Sequence, residues 1–259
     1  MQLVRSSSSL LLLVCIFALA ANNASASVRN RRVIGGTPAA EGEAAYSASL
    51  QNLAGEHFCG GVVVGKRTVL TTAICALHLN ASEIRVKVGS VDLSKATELT
   101  VSRATVHPDF VLKGKFPVND LAALRIEPEI NFNDGKIKAA ALPTNGQKTI
   151  QGEVVSLSGW GASKINGSAS PILMTIKIRV VSREHCAREH MNLLKELPEN
   201  QICAGVEDGN KDACAMDGGA GLVLEDLLLG LASWGQGCRQ KPGVYTELAP
   251  YRFWIDDQL

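Results

Sequence analysis

From Ala45 onward the apolar residues come in short runs, each closed off by glycine, asparagine, aspartate or proline. The runs are Ala45 to Leu50, Gly61 to Leu70, Ile84 to Val88, Leu121 to Ile126, Val154 to Leu157, Ile172 to Val181 and Gly221 to Trp234, all rich in Val, Ile and Leu. Many short strands at such spacing favour an antiparallel sandwich or barrel over alternating βα units. A chain of 259 residues is long enough for one large domain or two small ones. Only the end changes period: Pro250 precedes Tyr251, Trp254, Ile255 and Leu259, whose three-to-four spacing predicts a closing α-helix with one apolar face. No repeat, low-complexity tract or charged tail interrupts residues 33–259.

The start of the chain reads differently. A single Arg5, the apolar stretch Leu10 to Ala21 and the small-residue site Ala24-Ser25-Ala26 predict a signal peptide over residues 1–26 and a secreted, extracellular protein. That apolar stretch is too short to span a bilayer, which takes roughly 20 residues. Of seven cysteines, Cys15 falls in this leader, leaving Cys59, Cys75, Cys186, Cys203, Cys214 and Cys238. Six cysteines in an oxidising compartment predict three disulfides, whose pairing the spacing alone leaves open. No Cys-x-x-Cys or histidine cluster accompanies them, so no metal and no cofactor is expected. Asn80-Ala81-Ser82 and Asn166-Gly167-Ser168 are glycosylation sequons, at Asn80 and Asn166.

Residues 1–32 hold four arginines and no acid, so without them 22 basic residues face 25 acidic ones. No lysine or arginine cluster stands out along the chain as a patch for nucleic acid, heparin or an anionic membrane.

Four segments in order resemble the trypsin/chymotrypsin-like serine proteases. They are Arg32-Val33-Ile34-Gly35-Gly36; Phe58-Cys59-Gly60-Gly61 with Thr71-Thr72-Ala73-Ile74-Cys75; Asn119-Asp120-Leu121-Ala122; and Asp212-Ala213-Cys214-Ala215-Met216-Asp217-Gly218-Gly219. Gly159-Trp160-Gly161, Ile202-Cys203-Ala204-Gly205, Ser233 to Cys238 and Lys241 to Thr246 add to the match, which spans residues 33–259. The resemblance implies an all-β fold of two six-stranded antiparallel barrels, approximately 33–145 and 146–245, with the site between them and a C-terminal α-helix. It also implies the pairs Cys59–Cys75, Cys186–Cys203 and Cys214–Cys238.

Acyl transfer in this family uses a serine nucleophile, a histidine base and an orienting aspartate. By the resemblance, the histidine position, just before Cys75, holds Ile74, which accepts no proton. The nucleophile position, just after Asp217, holds Gly218, and Met216 replaces the glycine whose amide lines the oxyanion hole. Asp120 matches the triad acid. Burial against Ile74 would raise its pKa and a hydrogen bond from Ser233 would lower it, so sequence leaves the sign open. His57, His107, His185 and His190 match no catalytic position, and His78, four residues after Ile74, reads as a surface histidine. Ala220 and Gly221 depart from the family's residues after the nucleophile. Removing base or nucleophile from such a triad costs on the order of 10⁶ in turnover, so no catalytic activity is expected.

Recognition parts survive. Asp212 matches the acid that holds a Lys or Arg side chain, and Ser233, Trp234, Gly235 and Gly243 match the surrounding walls; the pocket is either open or filled. Residues 27–32 read as a short propeptide, cut at Arg32–Val33 so that the new terminus pairs with Asp217, or else as an uncut leftover. The expectation is a secreted, non-catalytic, monomeric homologue that binds a protein partner as cofactor or decoy in a protease or innate-immune cascade. The alternatives are a residual trypsin-like endopeptidase or a heparin- or microbe-binding defence protein.

Overall fold

The computed structural model describes residues 36–77, 79–162, 167–191, 196–205, 217–235 and 241–259. The short apolar runs are strands because their side chains alternate between a packed and a wet face. In Met174–Val181, for example, Met174, Ile176, Ile178 and Val180 are buried while Lys177 and Arg179 face solvent.

The strands, numbered along the chain, are β1 (Thr37–Pro38), β2 (Ser47–Gln51), β3 (His57–Gly65), β4 (Thr68–Thr71), β5 (Arg85–Val88), β6 (Thr97–Val106), β7 (Val111–Lys113), β8 (Phe116–Val118) and β9 (Ala122–Glu127). Strands β2, β3, β4, β9, β6 and β5 close a six-stranded antiparallel barrel around Leu50, Val63, Val69, Ile84, Val86, Leu124 and Ile126. β7 and β8 form a separate hairpin. The second barrel uses β10 (Val154–Gly159), β11 (Met174–Val181), β12 (Gln201–Gly205), β13 (Gly221–Leu224), β14 (Leu227–Trp234) and β15 (Gly243–Glu247). It runs β10-β13-β14-β15-β12-β11 and closes through the β10–β11 ladder. Closure pairs each barrel strand on both sides, so neither barrel has an open edge of its own. β1, first in the chain, extends this second barrel by pairing Thr37 with Thr175 of β11.

A third apolar cluster joins the barrels, with Tyr46, Val62, Val64, Leu70, Trp160, Val223, Leu228 and Leu231 packed together. This seam fixes where loops of one barrel face those of the other. Among the described residues no helix is long and apolar enough to cross a membrane.

The three α-helices among the described residues are short. α1 (Ala73–Ala76) is a single turn, tied to β3 by Cys59–Cys75. α2 (Arg183–His190) starts at Ser182, whose hydroxyl accepts from the His185 amide, and carries Glu184 in its first turn and Arg188 and His190 in its last. Glu184 and Arg188 are charges of the sign that complements the helix dipole at each end. Cys186–Cys203 holds α2 to β12, and both described disulfides follow the expected pairing. Cys214–Cys238 lies outside the described residues.

The closing helix is shorter than its spacing predicts. α3 covers Arg252–Asp256 after a single 3-10 turn over Ala249–Tyr251. Tyr251 and Ile255 are buried and Trp254 packs on the seam, but Leu259 follows the helix end and is 49% exposed. The apolar face therefore stops at Ile255, because α3 has ended before Leu259.

Candidate functional site

The cleft is built around one buried carboxylate. Asp120 lies between the β7–β8 hairpin and β9 with no exposed surface. Its Oδ1 accepts from the Ile74 amide at 2.9 Å, and its Oδ2 accepts from Ser233 Oγ at 2.6 Å. Its backbone carbonyl accepts from Thr246 Oγ1 at 2.9 Å, so both barrels hold it. Burial dominates and pushes its carboxyl up to about 6, against the hydrogen bonds from Ser233 and from the amides of Ile74 and Ala73. The sign that sequence left open is thereby upward.

Ile74 offers only its backbone to this acid. Its side chain is 45% exposed, on the one-turn helix pinned by Cys75. An imidazole would present a ring nitrogen at this position; isoleucine presents hydrocarbon.

The turn that carries Gly218 is well formed. The Ala220 amide donates to the Asp217 carbonyl at 2.9 Å, and the Gly219 amide donates to Ala232 in β14 at 2.8 Å. Gly219 has φ +83°, and a Cβ there would collide with the Gly60 carbonyl and Thr71 Oγ1, so glycine is required twice over. Gly218 is different. It has no positive φ, and a Cβ would meet nothing closer than Cys75 Sγ at 3.4 Å. Its carbonyl accepts from the Gly60 amide at 2.7 Å, tying β3 of the first barrel to this turn of the second. The substitutions at Ala220 and Gly221 leave the turn closed: Ala220 is buried, and Gly221 starts β13 where a Cβ would press on Val62 and Leu228.

Asp217 is 3% exposed, and its Oδ1 accepts from the Gly161 amide at 3.0 Å. A Cβ on Gly159 or Gly161 would run into this carboxylate, which explains both glycines of the Gly159-Trp160-Gly161 segment. Its expected partner Val33, the cleavage site at Arg32 and the leader and propeptide over residues 1–32 lie outside the described residues. So do Asp212, Met216, His78 and Asn166.

The residues named as walls around Asp212, namely Ser233, Trp234, Gly235 and Gly243, are described, while Asp212 itself is not. The Trp234 ring packs between Phe116 at 4.8 Å and His190 at 5.0 Å, centroid to centroid, and its Nε1 donates to Gln201 Oε1 at 3.3 Å. Gly235 faces Gly243: a Cβ on the former would find the latter's Cα at 3.8 Å and nothing nearer. His190 is fully buried, with Nε2 2.9 Å from the Pro242 carbonyl, and burial holds its pKa below the usual histidine value. His57 bonds Ser49, and His107 packs on Tyr251 and Trp254. Asn80 is exposed, with its side-chain amide on Glu83.

Phe116 was missed in the sequence, and Gly60 and Thr246 were read only as parts of matching segments, since each acts through residues distant along the chain. Also missed was a basic groove on the second barrel, lined by Lys177, Arg179, His185 and Arg188. Its trace in the sequence is the period-two alternation of Ile176-Lys177-Ile178-Arg179-Val180, which puts both cations on one face of β11.

Comparison with known proteins places these features. The family model described as Trypsin matches residues 33–255. The vitellin-degrading protease of Bombyx mori is 30% identical over 254 residues, covering 97% of this chain and 94% of that protein. Trypsin 5G1 of Aedes aegypti is 29% identical over 229 residues, covering 87% of this chain and 84% of its own length. Among solved structures, neuropsin, a serine protease expressed in the limbic system of mouse brain, superposes with a TM-score of 0.77 at 28% identity, covering 86% of this chain and 97% of that one.

These matches correct one expectation. The sequence reading makes the chain no enzyme, whereas the family model is that of trypsin and the named relatives are proteases. Exchanges at positions 74 and 218 change two side chains. They leave the barrels, the buried acid and the turn standing, so absence of activity does not follow from them.

Proposed function

Because the chain belongs to the trypsin family, we propose that its cleft recognises a polypeptide, held between the barrels against Trp234, Phe116 and the exposed face of Ile74. The observation that carries this reading is the pairing of Asp120 with the Ile74 amide and Ser233, which satisfies the acid internally and turns hydrocarbon toward the cleft. An exposed aliphatic side chain gains by burying a partner's side chain against it. The partner is a protein, such as a protease, an inhibitor or an immune component, and the chain acts as a secreted monomer. The leader-like residues 1–26 support secretion.

Peptide-bond hydrolysis is the second reading, favoured by the names of the relatives. Any such hydrolysis by this chain runs without an imidazole at position 74 or a hydroxyl at position 218. One experiment separates the two readings. The full-length protein, and a sample treated with trypsin to open Arg32–Val33, are titrated with benzamidine and an arginine peptide by calorimetry, and assayed in parallel on an arginine ester. Binding without turnover supports recognition. Turnover that survives removal of contaminating protease supports hydrolysis, and absence of both overturns the recognition reading.

A further inference from the structure

On the outer face of the second barrel an open groove of about 850 Å³ runs between the β10–β11 ladder and α2. Lys177 and Arg179 reach it from β11, His185 and Arg188 from α2, and among the described residues no Asp or Glu lines it. The elements meet because Cys186–Cys203 holds α2 to β12, and β12 pairs with the end of β11.

Lys177, Arg179 and Arg188 are exposed, and none of the ion pairs among the described residues involves them. Arg179 gives one Nη1 bond to the Gly152 carbonyl at 2.9 Å, which steadies the guanidinium at the rim and leaves its other donors. Along α2, Glu189 directly follows Arg188 and Glu184 lies one turn before it; neither lines this groove. Glu184 lines the neighbouring one, and its carboxyl is held low mainly by hydrogen bonds at the helix start, with smaller contributions from Arg183 and Arg188. Since acids outnumber bases in residues 33–259, the local positive field is a property of this groove and not of the whole body.

We propose that this groove docks an acidic polypeptide segment that carries apolar side chains. The charge calls for carboxylates. The apolar part of the lining, with Val154 exposed beside Val181, calls for hydrocarbon between them, which a sulfated glycan does not supply. Arg179 and Arg188 add the planar fork that pairs with carboxylates in two-point fashion. The site shares no residue with the cleft, so it stands whether or not the cleft reading holds. A partner long enough to reach both would gain through effective concentration.

The test uses the full-length chain and a fluorescein-labelled dodecapeptide of three Glu-Glu-Leu-Gly repeats, read by fluorescence anisotropy. Binding is expected to weaken at least tenfold in the Lys177→Glu/Arg188→Glu variant, and at least threefold between 50 and 300 mM NaCl. A peptide with Ser in place of Leu is expected to bind at least threefold more weakly. The milder Lys177→Gln/Arg188→Gln variant is expected to lose an intermediate amount, and it decides the matter if the charge reversal impairs folding. No detectable binding overturns the proposal, as does binding unchanged in the variants, equal binding of the Ser peptide, or a heparin dodecasaccharide that binds more tightly and displaces the peptide.

Discussion

The Ile74 amide donates to Asp120 Oδ1 at 2.9 Å, so the acid at the centre of the cleft is met from the first barrel's short helix by main chain alone. Ser233 completes the arrangement at 2.6 Å from the second barrel. Both oxygens are bonded, yet burial still keeps the carboxyl near 6. Most of what can be tested at this cleft follows from that balance.

The first consequence is a pH dependence of stability. The folded-state value of Asp120 lies above its ordinary 3.8, so between about pH 4 and 6 the folded chain binds more protons than the unfolded one. The resulting stability is fully present below the unfolded value and is lost as pH rises through about 6. Asp120→Asn removes that slope. Urea melts at pH 4, 5, 6 and 7 are expected to show the wild type losing about 2–3 kcal/mol relative to the variant across the interval. A parallel pair of curves would contradict the raised value.

Gly218 and Gly219 are neighbours with opposite tolerance. Gly218→Ser places its Cβ at ordinary contact with Cys75 Sγ and is expected to change stability by no more than about 1 kcal/mol. Gly219→Ala puts a side chain at φ +83° against the Gly60 carbonyl and is expected to cost at least about 2 kcal/mol. Thermal denaturation of the two variants side by side checks the contrast.

Triad groups act as a unit. Ile74→His alone gives Asp120 an imidazole with no nucleophile to activate, and Gly218→Ser alone gives a hydroxyl with no base. Arginine-ester hydrolysis is expected to rise at least tenfold in the double variant and in neither single one. Equal gains from a single change would show that the cleft does not couple the two positions.

Trp234 is both wall and support. Trp234→Ala removes its packing on Phe116 and His190 and is expected to cost about 2–3 kcal/mol, short of a fully buried tryptophan because the ring is part-exposed. Trp234→Phe keeps most of that packing. Calorimetry is expected to show polypeptide binding at the cleft weakened about tenfold by the first change and far less by the second.

The Cys59–Cys75 bridge closes a 16-residue separation and anchors the helix that carries Ile74. Replacing both cysteines with serine is expected to cost about 3 kcal/mol, from the chain entropy released on unfolding. Denaturant melts of the variant measure it directly.

Part of this protein was legible residue by residue. Alternating runs such as Met174–Val181 announce strands because the pleat has a period of two, and a strand's buried face needs no distant information. The absence of a proton acceptor at position 74 and of a hydroxyl at position 218 is likewise a property of the side chains themselves. Other features depended on sums over space. The direction of Asp120's titration is the difference between burial by both barrels and hydrogen bonds from Ser233, Ile74 and Ala73, drawn from three separate stretches of chain. The closing helix ended before Leu259, against the predicted apolar face. The basic groove exists only because β11 and α2 are held together in space. Lys177 and Arg179 alternate along one strand and His185 and Arg188 wind along one helix, so no local run of charge marks them, and only their packing brings the four into one field.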